Sequence, residues 1–333
     1  MFRVLLLINP VINPRGYQVV IPQCYQKERT SMDRQQTTLL TLWDDFRDYK
    51  SLMVSPVTIK KYDTFRYHVQ SFFESSVISE TNRAIARRFL VHLKEKTEQR
   101  NGSLSTAKEQ IGYLNAMWNW GRDEGLIDFN LPSPFSGLSK EIKPSPKQPP
   151  RPFTKGEISL ILEGFSRYHP HYLSYVQFLL STGARIGEAS GLLWRHINWE
   201  NSTIWIGESL SRGKRNPTKT RKTRVIPMNE KIKSIIESRK TLATIDFFLV
   251  FTTQNGSAID DHNFNKRTWK STLEMMGVEY RKPYNCRHTF ISHCLESGLS
   301  PSTVASITGH NVDTLYRNYA GSVISRPTIP SMF

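Results

Sequence analysis

Five prolines fall within ten residues in Lys143-Pro-Ser-Pro-Lys-Gln-Pro-Pro-Arg-Pro152, and no other stretch constrains this chain of 333 residues so sharply. Each ring removes a backbone donor and disfavours helix at the residue before it, so the segment is extended and semi-rigid. It divides the chain into regions at 38–142 and 153–333, with 143–152 as linker and 1–37 as an N-terminal extension. The length fits about two domains, and no internal repeat or long low-complexity segment interrupts them.

The first region reads as helical. Leu39, Leu42, Trp43 and Phe46 recur at helical spacing, as do Tyr62, Phe65, Val69 and Phe72. Ser55-Pro56 places a capping side chain before a proline suited to a first helical turn. Further helices are predicted over Asn82–Lys96 and Ser105–Glu124, where Ile111, Leu114 and Trp118 share a face and Gly125 supplies a stop. The result is a bundle of about four helices whose apolar stripes are core. In the extension, the apolar run after Met1 stops at Asn9-Pro10, short of a secretion-signal core, and no small-residue cleavage site follows. It reads as a strand, forming a hairpin with Tyr17-Gln-Val-Val-Ile21 beyond Pro14-Arg-Gly16, either as an accessory arm or as a structural tail or imperfect start.

The second region is mixed. Helices are predicted over Lys155–Arg167, Tyr172–Leu180, part of Arg185–Trp194, Glu230–Lys240, His288–Glu296 and Pro301–Ile307. Thr203-Ile-Trp-Ile206 and Thr223-Arg-Val-Ile-Pro227 read as short strands flanking a basic segment, and Phe247–Phe251 as an apolar strand. The strands are too few and too short for a doubly wound sheet. The fold class is therefore mainly α with a small antiparallel β-sheet.

There are 45 Lys+Arg against 29 Asp+Glu, a net charge of +16, and this surplus favours a polyanion. No segment approaches the roughly 20 apolar residues of a membrane span. Cys24, Cys286 and Cys294 show neither paired nor metal-ligand spacing, so they read as small core side chains in a reducing cytoplasm.

Against that background a set of separated residues stands out. Arg185 and Glu188 lie in Thr182-Gly-Ala-Arg-Ile-Gly-Glu188, Lys219 in Thr218-Lys-Thr220, Arg287 in Tyr284-Asn-Cys-Arg-His288, and His310 in Thr308-Gly-His310, with Tyr319 nine residues further. Two guanidinium forks match phosphate oxygens, a lysine and a histidine can move protons, and a tyrosine can serve as nucleophile. In this order the fragments resemble the tyrosine recombinase (phage-type integrase) family across most of the chain.

The resemblance implies an N-terminal helical core DNA-binding domain and a mixed, mostly helical catalytic domain, closing around duplex DNA as a C-shaped clamp. Arg185 and Arg287 would neutralise charge on a pentacoordinate phosphate, with no metal or other cofactor. Glu188, one turn beyond Arg185, would orient that guanidinium or simply pair with it. Lys219, with Lys214 and Lys222 as rivals, would protonate the departing 5′ oxygen from a mobile hairpin. His310 would donate to a non-bridging oxygen. Tyr319 is the expected nucleophile, because nine residues is the family's usual interval from that histidine; Tyr316 falls only six beyond it. Tyr284 departs from the pattern, since the family usually has histidine there. Its phenol either donates to the phosphate or packs beneath Arg287. His288 is expected to pack or hydrogen-bond locally.

These implications give a site-specific DNA recombinase of a mobile element, cytoplasmic and nucleoid-associated if bacterial. It would act as a homotetramer on two sites of double-stranded DNA, with accessory DNA-bending or directionality proteins. The alternatives are a type IB topoisomerase-like enzyme and a non-catalytic DNA-binding relative. In the first region Lys60, Lys61, Arg66, Arg87, Arg88 and Lys108 are candidates for the DNA face, each readable singly as an ordinary solvated charge.

Overall fold

The computed structural model describes residues 37–146, 148–211, 213–217, 222–240 and 245–319, with the backbone of two short strands nearer the N-terminus. Those strands, β1 (Val11–Ile12) and β2 (Gln18–Val19), pair antiparallel. They flank Pro14-Arg-Gly16 in sequence; that segment, and residues 1–10 where the first arm is expected, fall outside the described residues. The chain separates into two compact units, Met1–Lys147 and Gln148–Phe333, so the division falls inside the proline-rich stretch.

In the first unit, α1 (Leu39–Met53), α2 (Pro56–Phe73), α3 (Arg83–Gln99) and α4 (Leu104–Asp123) are followed by the short α5 (Leu138–Glu141). Thr38, Ser55, Asn82 and Ser103 cap the four long helices, each side chain accepting from a first-turn N–H. Trp43, Phe65, Phe89, Leu114 and Trp118 are buried in one core. The α2 stripe closes on Phe73, one helical turn beyond Val69, whereas Phe72 is only partly buried.

The second unit opens with α6 (Lys155–Tyr168), α7 (Leu173–Thr182) and α8 (Ile186–Ser190). The strands β3 (Ile197–Asn198), β4 (Thr203–Ile206) and β7 (Arg224–Pro227) form an antiparallel sheet in the order β3-β4-β7. Between them β5 (Glu208–Ser211) and β6 (Lys214–Pro217) make a separate hairpin, so the basic segment holds strands that its composition does not announce. Next come α9 (Glu230–Glu237) and a continuous helical run, α10, built of Asp261–Asn263, the π-helical Phe264–Trp269 and Lys270–Met275. The chain's remaining described helices are α11 (Asn285–Glu296), α12 (Pro301–Thr308) and α13 (Val312–Tyr319). The apolar segment 247–251 is not an extended strand; Leu249 makes a single bridge to Leu193. Phe153, Phe165, Tyr175, Phe251 and Trp269 lie in the core of this unit, where each buried aromatic contributes on the order of 2–3 kcal/mol.

Two sharp corners bend the chain of the second unit. α7 ends in Thr182-Gly183 and α12 in Thr308-Gly309. Both threonines are fully buried and donate back to carbonyls four residues earlier, Phe178 at 2.7 Å and Val304 at 2.6 Å. Both glycines are left-handed, with φ of 59° and 70°, and this turns the chain abruptly while leaving the last helical carbonyls without helical partners. At Gly183 an added Cβ would also lie 2.5 Å from Cδ1 of Phe290. Gly183→Ala is therefore expected to lower stability by about 1–3 kcal/mol. Urea unfolding checks this, and an unchanged midpoint would contradict it.

Candidate active site

The carbonyls released at these corners are gathered by one side chain. Arg287 sits in the first turn of α11, inside the helix rather than ahead of it, and is 1% exposed. Its Nη1 donates to Gly183 O at 2.7 Å, and its Nη2 to Thr308 O at 2.5 Å. The buried Nε has no hydrogen-bond partner among the described residues. Burial first, then the neighbouring charge of Arg185, pull its pKa down to about 10, so it remains a cation at neutral pH.

Arg185 leads into α8, and its guanidinium bonds Glu188 Oε1 at 2.8 Å and Gly309 O at 3.2 Å. Glu188 also accepts from the Arg185 backbone N–H at 2.8 Å. A second arginine, not singled out from the sequence, holds the same carboxylate: Arg224 donates to Glu188 at 2.6 and 3.1 Å, and to Ile307 O at 2.7 Å. Its location has a simple cause. Arg224 lies two residues before the buried Ile226 on β7, opposite Ile206, and strand alternation sends both side chains to the inner face. Glu188 is 1% exposed, and burial alone would raise its pKa. The Arg224 hydrogen bonds and charge outweigh that effect and, with Arg185, hold the carboxyl down to about 2.

His310 follows the second corner. Its Nδ1 lies 3.0 Å from Nη2 of Arg287, which can only donate, and 3.0 Å from Oγ1 of Thr308, whose one proton already goes to Val304 O. The charged donor is the stronger partner, so the lone pair is assigned to Nδ1 and the ring proton to Nε2. Desolvation, then Arg287 and Arg185, drive its pKa down to about 3, and the ring is neutral at pH 7.

Tyr319 closes α13. Leu315 and Tyr319, four apart, form the buried face, while Tyr316 is 52% exposed on another side of the helix. The Tyr319 hydroxyl meets Nδ1 of His288 in a short hydrogen bond. His288 thus reaches across 31 residues of sequence, and the expectation of a merely local partner is corrected. Burial raises the Tyr319 phenol above its ordinary pKa, an effect strengthened by Tyr284 and opposed by Arg287. Tyr284 is 40% exposed at the start of α11, its ring perpendicular to that of His288 with centroids 5.1 Å apart. With Arg185, Gly187, Asp260 and Lys282 it borders an open cavity of about 730 Å³.

Arg185, Glu188, Arg287, His310 and Tyr319 therefore come together as a single cluster in the second unit, joined by Arg224 and His288. Lys219 lies outside the described residues; its rival Lys214 is on β6 and exposed. In the first unit, Arg66 is bonded bidentately to Asp44 at 2.6 and 2.8 Å. Lys61 pairs with Glu109 at 3.0 Å, and Arg87 approaches Glu141 at 3.5 Å. Lys60, Arg88 and Lys108 are exposed.

Residues 153–324 match the model of the Phage integrase family. The chain belongs to that family. Among its relatives is a tyrosine recombinase XerC-like protein of Caldanaerobacter subterraneus subsp. tengcongensis, 24% identical over 303 residues that span 81% of this chain and 75% of the relative. The Tn1549 transposon integrase, solved in complex with a circular intermediate DNA, shares the fold with a TM-score of 0.72 at 20% identity, covering 85% of this chain and 95% of that one. A lambda integrase tetramer bound to a Holliday junction gives 0.67 at 12% identity, covering 92% and 84%. This tyrosine recombinase is mainly helical with small antiparallel sheets, and no described helix is long and apolar enough to cross a membrane.

Removing the charge of Glu188 would leave two guanidinium groups facing a neutral amide, one of them 7% exposed. Glu188→Gln should destabilise the protein by about 3–5 kcal/mol at neutral pH. Because the folded-state pKa is depressed, the contribution of Glu188 is complete above the ordinary glutamate range and lost as pH falls toward about 2. The difference between Glu188→Gln and the unaltered protein should therefore be flat from pH 6 to 8 and shrink in acid. Denaturant titrations across that range check this; a difference below about 1 kcal/mol at pH 7 would contradict the pairing.

Proposed function

We propose that this protein is a site-specific DNA recombinase in which Tyr319 cleaves and rejoins the DNA backbone through a 3′-phosphotyrosyl intermediate. The observation that carries this reading is the burial of the Tyr319 hydroxyl against His288, the residue that follows Arg287. A scissile phosphate on the guanidinium groups of Arg185 and Arg287 would take hydrogen bonds from the Nε2–H of His310 and from the Tyr284 hydroxyl. The Nε of Arg287, buried and without a hydrogen-bond partner among the described residues, suits an anionic ligand. Tyr319 attacks phosphorus, its oxygen–phosphorus bond forms, and the bond to the 5′ oxygen breaks. That oxygen leaves as a hydroxyl with a proton from Lys219. Glu188 and Arg224 act through Arg185, holding its fork in place.

The reverse step, with a 5′ hydroxyl from a second duplex, joins new partners. The phosphodiester energy is retained in the tyrosyl link, so the exchange needs no nucleotide hydrolysis. Work on two sites calls for several protomers, and the lambda integrase tetramer on a Holliday junction supports a homotetramer here. Residues 320–333 lie outside the described residues, and accessory DNA-bending or directionality proteins would set the outcome. In the first unit the exposed Lys60, Arg88 and Lys108 are the favoured backbone contacts; Lys61, Arg66 and Arg87 would first have to leave their carboxylates. The +16 surplus supports this electrostatic footprint.

Two differently labelled duplexes, carrying the ends of the element that encodes the protein, test this reading. Crossed strands should form in excess chelator without ATP, and Tyr319→Phe should bind the duplexes but exchange nothing. Relaxation of supercoiled DNA by single protomers without crossed products would favour the topoisomerase alternative and contradict recombination.

A further inference from the structure

We infer that His288 is the catalytic base that accepts the phenolic proton of Tyr319 during attack. The assignment rests on Tyr319 being the nucleophile and adds to it the fate of that proton. Its foundation is geometric: Nδ1 of His288 is in direct hydrogen-bonding contact with the Tyr319 hydroxyl. A phenolic O–H can donate there only if Nδ1 carries no proton, which puts the ring hydrogen on Nε2.

The other acceptors at the site are unsuited. His310 directs its Nδ1 lone pair at Arg287, 3.0 Å away, so it has a donor to offer but no base. Tyr284, where the family usually carries an imidazole, offers a phenol, whose oxygen is a far poorer proton acceptor than an imidazole nitrogen. One helical turn later, at the i+4 position of α11, His288 returns an imidazole to the same face, and the two rings touch at 5.1 Å. A shift of the base by one turn thus offsets the substitution at Tyr284.

The surroundings keep His288 ready to accept. Tyr284 and Arg287 face it from its own helix, Tyr319 from α13, and His310 from the turn before α13. Burial, then the charge of Arg287, lowers its pKa, so the ring holds a free lone pair at pH 7. The same cation disfavours keeping the proton. In cleavage the proton passes from Tyr319 to Nδ1 as the oxygen–phosphorus bond forms, while the leaving 5′ oxygen is protonated by Lys219. In rejoining the flow reverses: the incoming 5′ hydroxyl loses its proton to the neutral lysine, and His288 returns its proton to the departing phenolate. The site ends as it began.

His288→Asn keeps an acceptor but cannot hold a proton at neutral pH, and His288→Ala opens room for a free imidazole. Single-turnover formation of the covalent adduct on a nicked suicide duplex should fall about 10²–10⁴-fold in both variants, with duplex affinity unchanged. The deficit should narrow as pH rises, and added imidazole should restore His288→Ala but not His288→Asn. A wild-type rate in either variant overturns the inference, as does a loss that neither imidazole nor alkaline pH relieves. Failure of the unaltered protein to form an adduct through Tyr319 overturns the underlying reading as well. A normal Tyr319 adduct that is indifferent to His288 overturns this inference alone.

Discussion

The buried guanidinium of Arg287 is the interaction on which the rest of the site depends. Its two Nη atoms tie the end of α7, the end of α12 and the ring of His310 to the first turn of α11. Isolating such a charge from water costs several kcal/mol unless polar groups surround it. Here the partners are carbonyls that helix geometry leaves unpaired, and two left-handed glycines expose them. The same device recurs at Arg185, which takes the Gly309 carbonyl, and at Arg224, which takes that of Ile307. Among the described residues only Glu188 balances these three cations, with a carboxylate in direct contact with two of them. The result is a net excess of positive charge held where water is scarce.

Much of this arrangement was legible in the chain. The proline run marks the division because its constraint is local, and the stripes around Trp43, Phe65 and Trp118 foretell the helices because amphipathic periodicity is local too. Thr182-Gly183 and Thr308-Gly309 were visible as motifs, although their shared purpose appears only when both corners meet Arg287. The β5–β6 hairpin was not legible: Lys214-Arg-Asn-Pro217 has no apolar side chain facing a core, so no apolar alternation records its pairing. The segment at 247–251 misled in the opposite sense, since its aromatic residues fill gaps in the core and at the surface without joining a ladder.

Two site residues show where sequence reasoning stops. Arg224 had a usable signal, the alternation with Ile226, but a charged residue in a short strand is ordinarily placed facing water. Its burial depends on Glu188, 36 residues earlier, which a single sequence does not couple to it. His288 reads in the sequence as a packing residue, because a neighbour of Arg287 has every local reason to pack. Only the position of α13, fixed by Leu315 packing among Ile291, Leu295 and Val304, brings the Tyr319 hydroxyl to its ring. The helix also separates the two tyrosines: Tyr319 is four residues beyond Leu315 and shares its buried face, whereas Tyr316 is a single residue beyond it, about 100° around the helix, and is exposed.

The central claim is that one phenol, set by this packing, becomes covalently joined to DNA. Peptide mass mapping of protein trapped on a nicked duplex tests it most directly. The account predicts a single modified peptide carrying a 3′-phosphonucleotide on Tyr319, with a free 5′ hydroxyl on the released strand. A nucleotide on Tyr316 or any other residue, or a 5′-linked adduct, would contradict it.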